Sequence, residues 1–206
     1  MPTKILPEMT EVLPEMTIVW PSKWWLDSIV FNEPKRICLD LDGCVVQYDF
    51  PKIVKDFFGV DLSSQAIFAY DLADVLGVAP ALINTMFKKQ VYGEPNFTKG
   101  AIDVLKDWES KGHELIIYSN RVKYMGKSGL IGWLIGYEIP FTSITDGSGT
   151  YDIHIDDSPG KLMATDSKFK LLYSQPWNEK CLNVTGRLIR VNSWQEINDD
   201  LNKVCA

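Results

Sequence analysis

Short apolar runs alternate with amphipathic segments over most of the chain after Arg36. The runs RICLDL, HELIIYS and YDIHI have the length and composition of buried β-strands, and FKLLY and RLIRV are further candidates. Between the first two runs, KGAIDVLKDWESKG places Ile102, Leu105 and Trp108 on one helical face. The segment SWQEINDDLNKV, capped by Ser193, predicts a closing helix. This alternation predicts a three-layer, Rossmann-like α/β fold, in which helices cover both faces of a parallel sheet.

Two segments depart from this alternation. Residues 44–97 are too many for an ordinary loop and contain the helical candidates FPKIVKDFF, AIFAYDLADVLG and PALINTMFKKQ, which predict a small helical cap inserted after the first strand. Residues 1–35 repeat LPEMT, and their prolines exclude a continuous helix. We expect an N-terminal arm that packs on the domain surface, with oligomer formation through the arm as the alternative. The α/β core then comprises residues 36–43 and 98–206.

Acidic, hydroxyl and amide side chains follow three of the predicted strands. They are Asp40 and Asp42 after the first strand, Ser119 and Asn120 after the second, and Asp156 and Asp157 after the third. Because ligands of parallel sheets bind beyond the carboxyl ends of the strands, we expect these residues to meet in one crevice. Asp40 and Asp42 share a face of an extended segment. Carboxylates this close require a cation or a proton to offset their charge.

The residue types at these strand ends indicate phosphate chemistry with a metal ion. Oxygen ligands without His or Cys favour a hard cation, and Mg²⁺ is usual where phosphate completes the coordination shell. A Ca²⁺ loop needs further oxygen ligands, which CVVQYD does not supply. One carboxylate can attack phosphorus, and a second can protonate the leaving oxygen and then activate water. Gly43 allows the backbone to turn sharply beside the phosphate.

Three of these segments resemble known motifs. DLDGCV, IIYSN and IHIDDSP are similar to the first, second and fourth motifs of the haloacid dehalogenase-like phosphohydrolases, in the same order. QPWN and RVNSWQEI resemble the C-terminal stretch of the 5'(3')-deoxyribonucleotidases and related nucleotidases. The resemblance covers the chain from Arg36 almost to its end. It implies a haloacid dehalogenase-type core and an Mg²⁺-dependent phosphomonoesterase that hydrolyses nucleoside monophosphates through an aspartyl-phosphate intermediate.

The resemblance also implies catalytic and phosphate-binding roles at matching positions. Asp40 is the expected nucleophile and a metal ligand. Asp42 is the expected general acid and base, which also binds the metal through its backbone carbonyl. Ser119 is expected to hold the phosphate, together with Asn120.

The resemblance also implies roles for the acidic pair Asp156 and Asp157 and for three aromatic residues. Asp157 is the favoured direct metal ligand, with Asp156 supporting it from a second shell. Tyr48 is the expected substrate-binding aromatic residue. Phe68 and Tyr70 are weaker candidates for the same wall of the pocket.

The chain departs from the family pattern at the third motif, which is a Lys that neutralises the phosphate and the nucleophile. The segment TSITDGSGTYD has no Lys or Arg. We expect Lys123 to supply this charge, with Lys127, Arg121 and Lys161 as alternatives. A non-catalytic phosphate-binding protein is therefore one alternative function. The other is a phosphatase acting on sugar phosphates or other small metabolites, because the motifs do not specify the leaving group.

Composition narrows the expected partners and location. The net charge of −6 and the pI near 5.0 argue against binding to nucleic acid, which relies on Lys and Arg. The four cysteines form no Cys-x-x-Cys pair, so neither a zinc site nor a disulfide framework is indicated. No apolar run approaches the roughly 20 residues that span a bilayer, and no secretory signal is evident. We expect a cytoplasmic protein that binds a small phosphomonoester and neither membrane nor nucleic acid.

Overall fold

The computed structural model describes residues 33–62, 72–91, 93–179, 181 and 188–202. Within these residues the strands are β1 (Arg36–Leu39), β2 (Val46–Gln47), β3 (Asn96–Phe97), β4 (Glu114–Ile117), β5 (Ser143–Ile144), β6 (Thr150–Asp156), β7 (Asp166–Tyr173) and β8 (Leu188–Val191). The helices are α1 (Phe50–Phe58), α2 (Leu72–Leu76), α3 (Pro80–Val91), α4 (Ala101–Ser110), α5 (Val122–Gly136), α6 (Pro159–Ala164) and α7 (Trp194–Asn202).

Six of the strands form one parallel sheet in the order β5-β4-β1-β6-β7-β8. The chain builds one half of the sheet from β1 outward through β4 and β5, then returns to the other side of β1 with β6. Such a reversal of strand order opens a crevice at the carboxyl ends of the strands. The predicted acidic, hydroxyl and amide site residues come after the carboxyl ends of β1, β4 and β6.

Successive side chains of each strand point to opposite faces of the sheet. Ile37 and Leu39 are fully buried in a core cluster that also contains residues of α4, α5 and α7. Cys38 points to the opposite face, where it packs with Ile116 and Tyr151. The helix α6 contributes Leu162 to a separate cluster with β7 and β8. Helices therefore flank the parallel sheet, and the predicted α/β Rossmann-like fold is confirmed.

The long connection after β1 contains the helices α1, α2 and α3. Its two ends are joined by antiparallel pairing of β2 with β3. Asp49 caps the start of α1 by accepting a hydrogen bond from the backbone N–H of Lys52 at 3.1 Å, and Gly59 ends the helix in the left-handed conformation. The helices share their own apolar cluster, which consists of Val54, Leu72, Ala73, Ile83 and Met86 with partly buried neighbours. This helical insertion lies within the segment where the sequence predicts a cap.

Two tight turns direct the residues that follow β1 and β6. Gly43 has a φ of +83°, and its N–H donates to the Val46 carbonyl at 2.8 Å. After β6, the Ser158 side chain caps α6, and Pro159 occupies the first turn of that helix. Both turns change the direction of the chain within a few residues of the carboxyl end of a strand.

Several sequence predictions concern residues outside the described part of the chain. They are the N-terminal arm as far as residue 32 and the aromatic candidates Phe68 and Tyr70. Among the helices that the structure describes, none combines the length and the apolar character that crossing a bilayer requires.

Candidate active site

Three buried aspartates converge at the carboxyl ends of β1 and β6. Asp40 directly follows β1, Asp156 is the last residue of β6, and Asp157 comes next. The three residues are 4%, 0% and 6% exposed, and one side-chain oxygen from each lies within 4.8 Å of the others. The Asp40 N–H donates to the Ile155 carbonyl at 3.0 Å, so the pairing of β1 with β6 continues into the site. The parallel register of two neighbouring strands thus places three carboxylates together.

One ammonium group partly compensates this negative charge. Lys161 Nζ lies 2.8 Å from Asp40 Oδ2 and 3.5 Å from Asp156 Oδ2. Its position follows from the turn after β6, because the N–H of Lys161 donates to the capping oxygen of Ser158 at 3.3 Å. Lys161 therefore lies in the first turn of α6, close to the strand end. Its ammonium group forms ion pairs with two of the three buried carboxyl groups.

The imbalance of charge is evident in the pKa values of the aspartates. Burial, followed by the charge of Asp156, raises the pKa of Asp40 well above its ordinary value, and Lys161 opposes this shift. Burial and the neighbouring Asp156 also raise the pKa of Asp157 to about 7, against lowering contributions from the Trp177 hydrogen bond and from Lys161. Without further positive charge, protons are partly retained in the cluster.

The donor set fits a divalent cation. All three side chains offer carboxylate oxygens, the ligands that Mg²⁺ prefers. Among the described residues, Asp156 Oδ2 is buried and accepts no hydrogen bond, although Lys161 Nζ lies 3.5 Å and His154 Nε2 3.4 Å from it. Asp156 thus belongs to the same oxygen cluster as Asp40 and Asp157, although the sequence suggested only a supporting position for it.

Asp42 occupies a different environment from the three clustered aspartates. The Nε atom of Arg121 donates to both carboxylate oxygens of Asp42, at 3.0 and 3.2 Å, and the Tyr48 hydroxyl donates to Oδ1 at 2.5 Å. Arg121 also donates from its second nitrogen, NH2, to the Tyr48 hydroxyl at 2.8 Å. The Ser119 hydroxyl lies 3.5 Å from Asp42 Oδ2. Asp42 is therefore held in one orientation by residues from two different segments.

Arg121 is buried in the protein. Its side chain is 2% exposed, and its guanidinium stacks on the Trp133 ring at 4.0 Å from the ring centroid. Burial is the largest single effect and lowers the pKa of Arg121, but Asp42 and Tyr48 together outweigh it and raise that pKa. Burial, together with the Asp42 charge, raises the pKa of the Tyr48 phenol. Tyr48 and Arg121 therefore act on Asp42 as a neutral and a charged donor, respectively.

Most of the predicted site residues lie near each other. Asp40, Asp42, Ser119, Asp156 and Asp157 surround the end of β1 and its neighbours, and Tyr48 contacts Asp42. Of the cations that the sequence offered, Lys161 is the one that lies beside Asp40, at 2.8 Å. Lys123 and Asn120 have exposed side chains at the start of α5 and just before it. The Ser158-Pro159 start of α6, directly after the acidic pair, is the sequence signal that favours Lys161.

Sequence analysis did not identify Trp177 as a site residue. The Trp177 indole N–H donates to Asp157 Oδ2 at 2.6 Å from a 3-10 turn at Pro176–Asn178. Trp177 is separated from Asp157 by the whole of α6 and β7, so no local spacing points to this contact. Gly43 approaches the same carboxylate so closely that a Cβ atom there would lie 2.6 Å from Asp157 Oδ2.

Comparisons with known proteins support the fold. No protein-family model matches the sequence, and no curated protein matches it. The structure is similar to that of a HAD-superfamily hydrolase from Ehrlichia chaffeensis, with a TM-score of 0.52 and 13% sequence identity, over 84% of this chain and 98% of that chain. It is also similar to a haloacid dehalogenase-like hydrolase from Streptococcus pneumoniae, with a TM-score of 0.54 and 15% identity, over 77% of this chain and 94% of that one. This chain therefore shares the fold of haloacid dehalogenase-like hydrolases.

The raised pKa of Asp157 predicts how stability depends on pH in metal-free buffer. Between pH values of about 4 and about 7 the folded protein retains a proton that the unfolded chain, with an ordinary pKa of 3.8, releases. The free energy of unfolding, measured by denaturant titration in EDTA, should therefore fall as pH rises through this range. Asp157→Asn removes the titrating group, so it should show a smaller fall, and saturating Mg²⁺ should reduce the fall in the wild type. Equal slopes in wild type and variant would contradict the prediction.

Proposed function

We propose that this protein is an Mg²⁺-dependent phosphomonoesterase and that a nucleoside 5'-monophosphate is its preferred substrate. The observation that carries the proposal is the cluster of Asp40, Asp156 and Asp157 with Lys161 beside Asp40. A cation and a phosphate group together would satisfy the buried charges of this cluster. The fold shared with haloacid dehalogenase-like hydrolases supports the same chemistry.

In the proposed reaction Asp40 is the nucleophile. Bound Mg²⁺ would be held by Asp40 and Asp157, with Asp156 beside them and the Asp42 backbone carbonyl as a further ligand, and it would offset negative charge on the phosphate. Lys161 supplies the positive charge that the family's third motif provides, and Ser119 donates its hydroxyl to a phosphate oxygen. The Asp40 carboxylate forms a bond to phosphorus while the bond from phosphorus to the leaving oxygen breaks.

Asp42 moves the protons in both halves of the proposed reaction. It must enter the cycle protonated, and it gives that proton to the leaving oxygen as the aspartyl phosphate forms on Asp40. It then takes a proton from the water that attacks phosphorus, which releases inorganic phosphate and restores the Asp40 carboxylate. Arg121 and Tyr48 keep the Asp42 carboxylate aimed at this position through the hydrogen bonds described above.

Aromatic side chains support an aromatic leaving group, such as a nucleoside. The ring of Phe50 lies 5.6 Å from that of Tyr48, 6.0 Å from that of Phe87 and 5.0 Å from that of Trp177. All four side chains are half-buried, so part of each ring remains accessible. Tyr48 contacts Asp42, and Trp177 contacts Asp157, which brings this aromatic cluster to the edge of the candidate site.

A screen of phosphate release tests the proposed substrate class. In the presence of Mg²⁺ the protein should release phosphate from nucleoside monophosphates faster than from sugar phosphates, and EDTA should abolish release. Asp40→Asn is the matched control, since it removes the attacking oxygen. Faster release from sugar phosphates would favour a small-metabolite phosphatase. Phosphate binding without release from any compound would favour the non-catalytic alternative.

The leaving group distinguishes the roles of the two aspartates in the DLD segment. Asp40→Asn should reduce turnover to background on every substrate. Asp42→Asn removes the proton donor, so kcat/KM for a nucleoside monophosphate should fall by about 10²–10⁴-fold. The fall should be smaller for p-nitrophenyl phosphate, because its phenolate leaves with little protonation.

The comparison of kcat/KM for the two substrates in each variant is the deciding measurement. Substantial activity in Asp40→Asn, combined with loss on both substrates in Asp42→Asn, would reverse the assigned roles.

A further inference from the structure

Trp177 joins a candidate metal ligand to the helical insertion. Its indole N–H donates to Asp157 Oδ2 at 2.6 Å. The same side chain packs edge-on against Phe50, with ring centroids 5.0 Å apart and an interplanar angle of 87°. Phe50 is the first residue of α1, so one side chain contacts both the acidic cluster and the first helix of the insertion.

The turn that carries Trp177 holds Asp157 at two points. While Trp177 binds the carboxylate, the Asn178 side-chain amide donates to the Asp157 backbone carbonyl at 2.8 Å. Asn178 is itself 3% exposed and also donates to the Tyr173 carbonyl at 2.8 Å, and its oxygen accepts from Arg190 at 2.9 Å. These hydrogen bonds attach the turn to β7 and β8. The turn therefore holds Asp157 in place. Such anchoring limits the rotation of the carboxylate.

The chemical nature of this donor matters for a metal ligand. An indole N–H is uncharged, so it orients a carboxylate without neutralising it as Lys or Arg would. It also occupies only part of the hydrogen-bonding capacity of one oxygen, since an ionised carboxylate has about four acceptor sites. Gly43 closes the same side of the carboxylate by direct packing. Trp177 therefore orients the Asp157 carboxyl group without adding a positive charge beside it.

We propose that Trp177 is a positioning residue that orients the Asp157 carboxylate for a divalent cation. The proposal rests on the proposed Mg²⁺-dependent function and deepens it, because it assigns the support of the metal site to a residue from the turn after β7. Hydrogen-bond partners of metal ligands contribute to affinity even though they do not touch the ion.

The affinity for Mg²⁺ in the absence of substrate tests this role. Trp177→Phe keeps an aromatic ring against Phe50 and removes the N–H donor. Isothermal titration calorimetry of the metal-free full-length protein should show Mg²⁺ binding weakened by about 10–100-fold in this variant. Phe50→Leu is the matched control, because it removes the ring contact and leaves the hydrogen bond in place. Its Mg²⁺ affinity should stay close to that of the wild type.

The outcomes separate this inference from the proposed function. Wild-type affinity in Trp177→Phe would overturn the positioning role alone and leave Trp177 as a packing residue. An equal loss in Trp177→Phe and Phe50→Leu would overturn it as well, since the ring contact would then be the cause. A wild-type protein that binds no Mg²⁺ would overturn both the metal-dependent function and this inference.

A second measurement does not depend on the folding of the variant. In wild-type protein labelled with ¹⁵N-tryptophan, one indole N–H resonance should shift during Mg²⁺ titration and saturate with the dissociation constant found by calorimetry. This shift is expected because the Trp177 indole N–H is hydrogen-bonded to the Asp157 carboxylate, whose charge the bound Mg²⁺ would offset. Indole resonances that all remain unchanged at saturating Mg²⁺ would contradict the proposal.

Discussion

Three carboxyl groups that are at least nine-tenths buried lie together at the end of the sheet, and only Lys161 among the described residues forms ion pairs with two of them. Burial of like charges is strongly unfavourable unless protons or cations offset them. Burial and the neighbouring Asp156 charge raise the pKa values of Asp40 and Asp157, which reflects this unfavourable burial. A cation together with a phosphate ligand would relieve the same unfavourable charge by binding. We therefore interpret the acidic cluster as a site that gains stability from its ligands.

The fold produces this cluster through ordinary features of a parallel sheet. Pairing of β1 with β6 places Asp40 beside the end of β6. The positive φ of Gly43 allows the chain to turn next to Asp157, where any Cβ atom would collide with the carboxylate. The helix start at Ser158 then brings Lys161 back to Asp40. Asp42 is kept apart from the cluster by Arg121, so two carboxylates of one short segment have different partners and, in the proposed reaction, different roles.

Sequence reasoning could predict the parts of the site that follow directly from strand ends. Asp40, Ser119 and Asp157 each come after an apolar run, and parallel strands must bring such ends to one edge of the sheet. It did not rank Lys161 first, because which cation lies beside Asp40 depends on the direction of two helices. The helix start at Ser158 is the only local indication of that direction, and sequence reasoning did not use it. Trp177 could not be predicted as a site residue, because it lies 20 positions after Asp157 in the chain. Long-range side-chain contacts of this kind are specified by packing, which a single sequence does not reveal.

The central claim is that the three aspartates form a site for a divalent cation. Crystals of the protein grown with Mn²⁺, measured at an X-ray wavelength where manganese scatters anomalously, test this claim most directly. The account predicts one anomalous peak within coordination distance of Asp40 and Asp157, with Lys161 still within hydrogen-bonding distance of Asp40. At saturating Mn²⁺, the absence of a peak among these aspartates, or a peak bound by other residues alone, would contradict it.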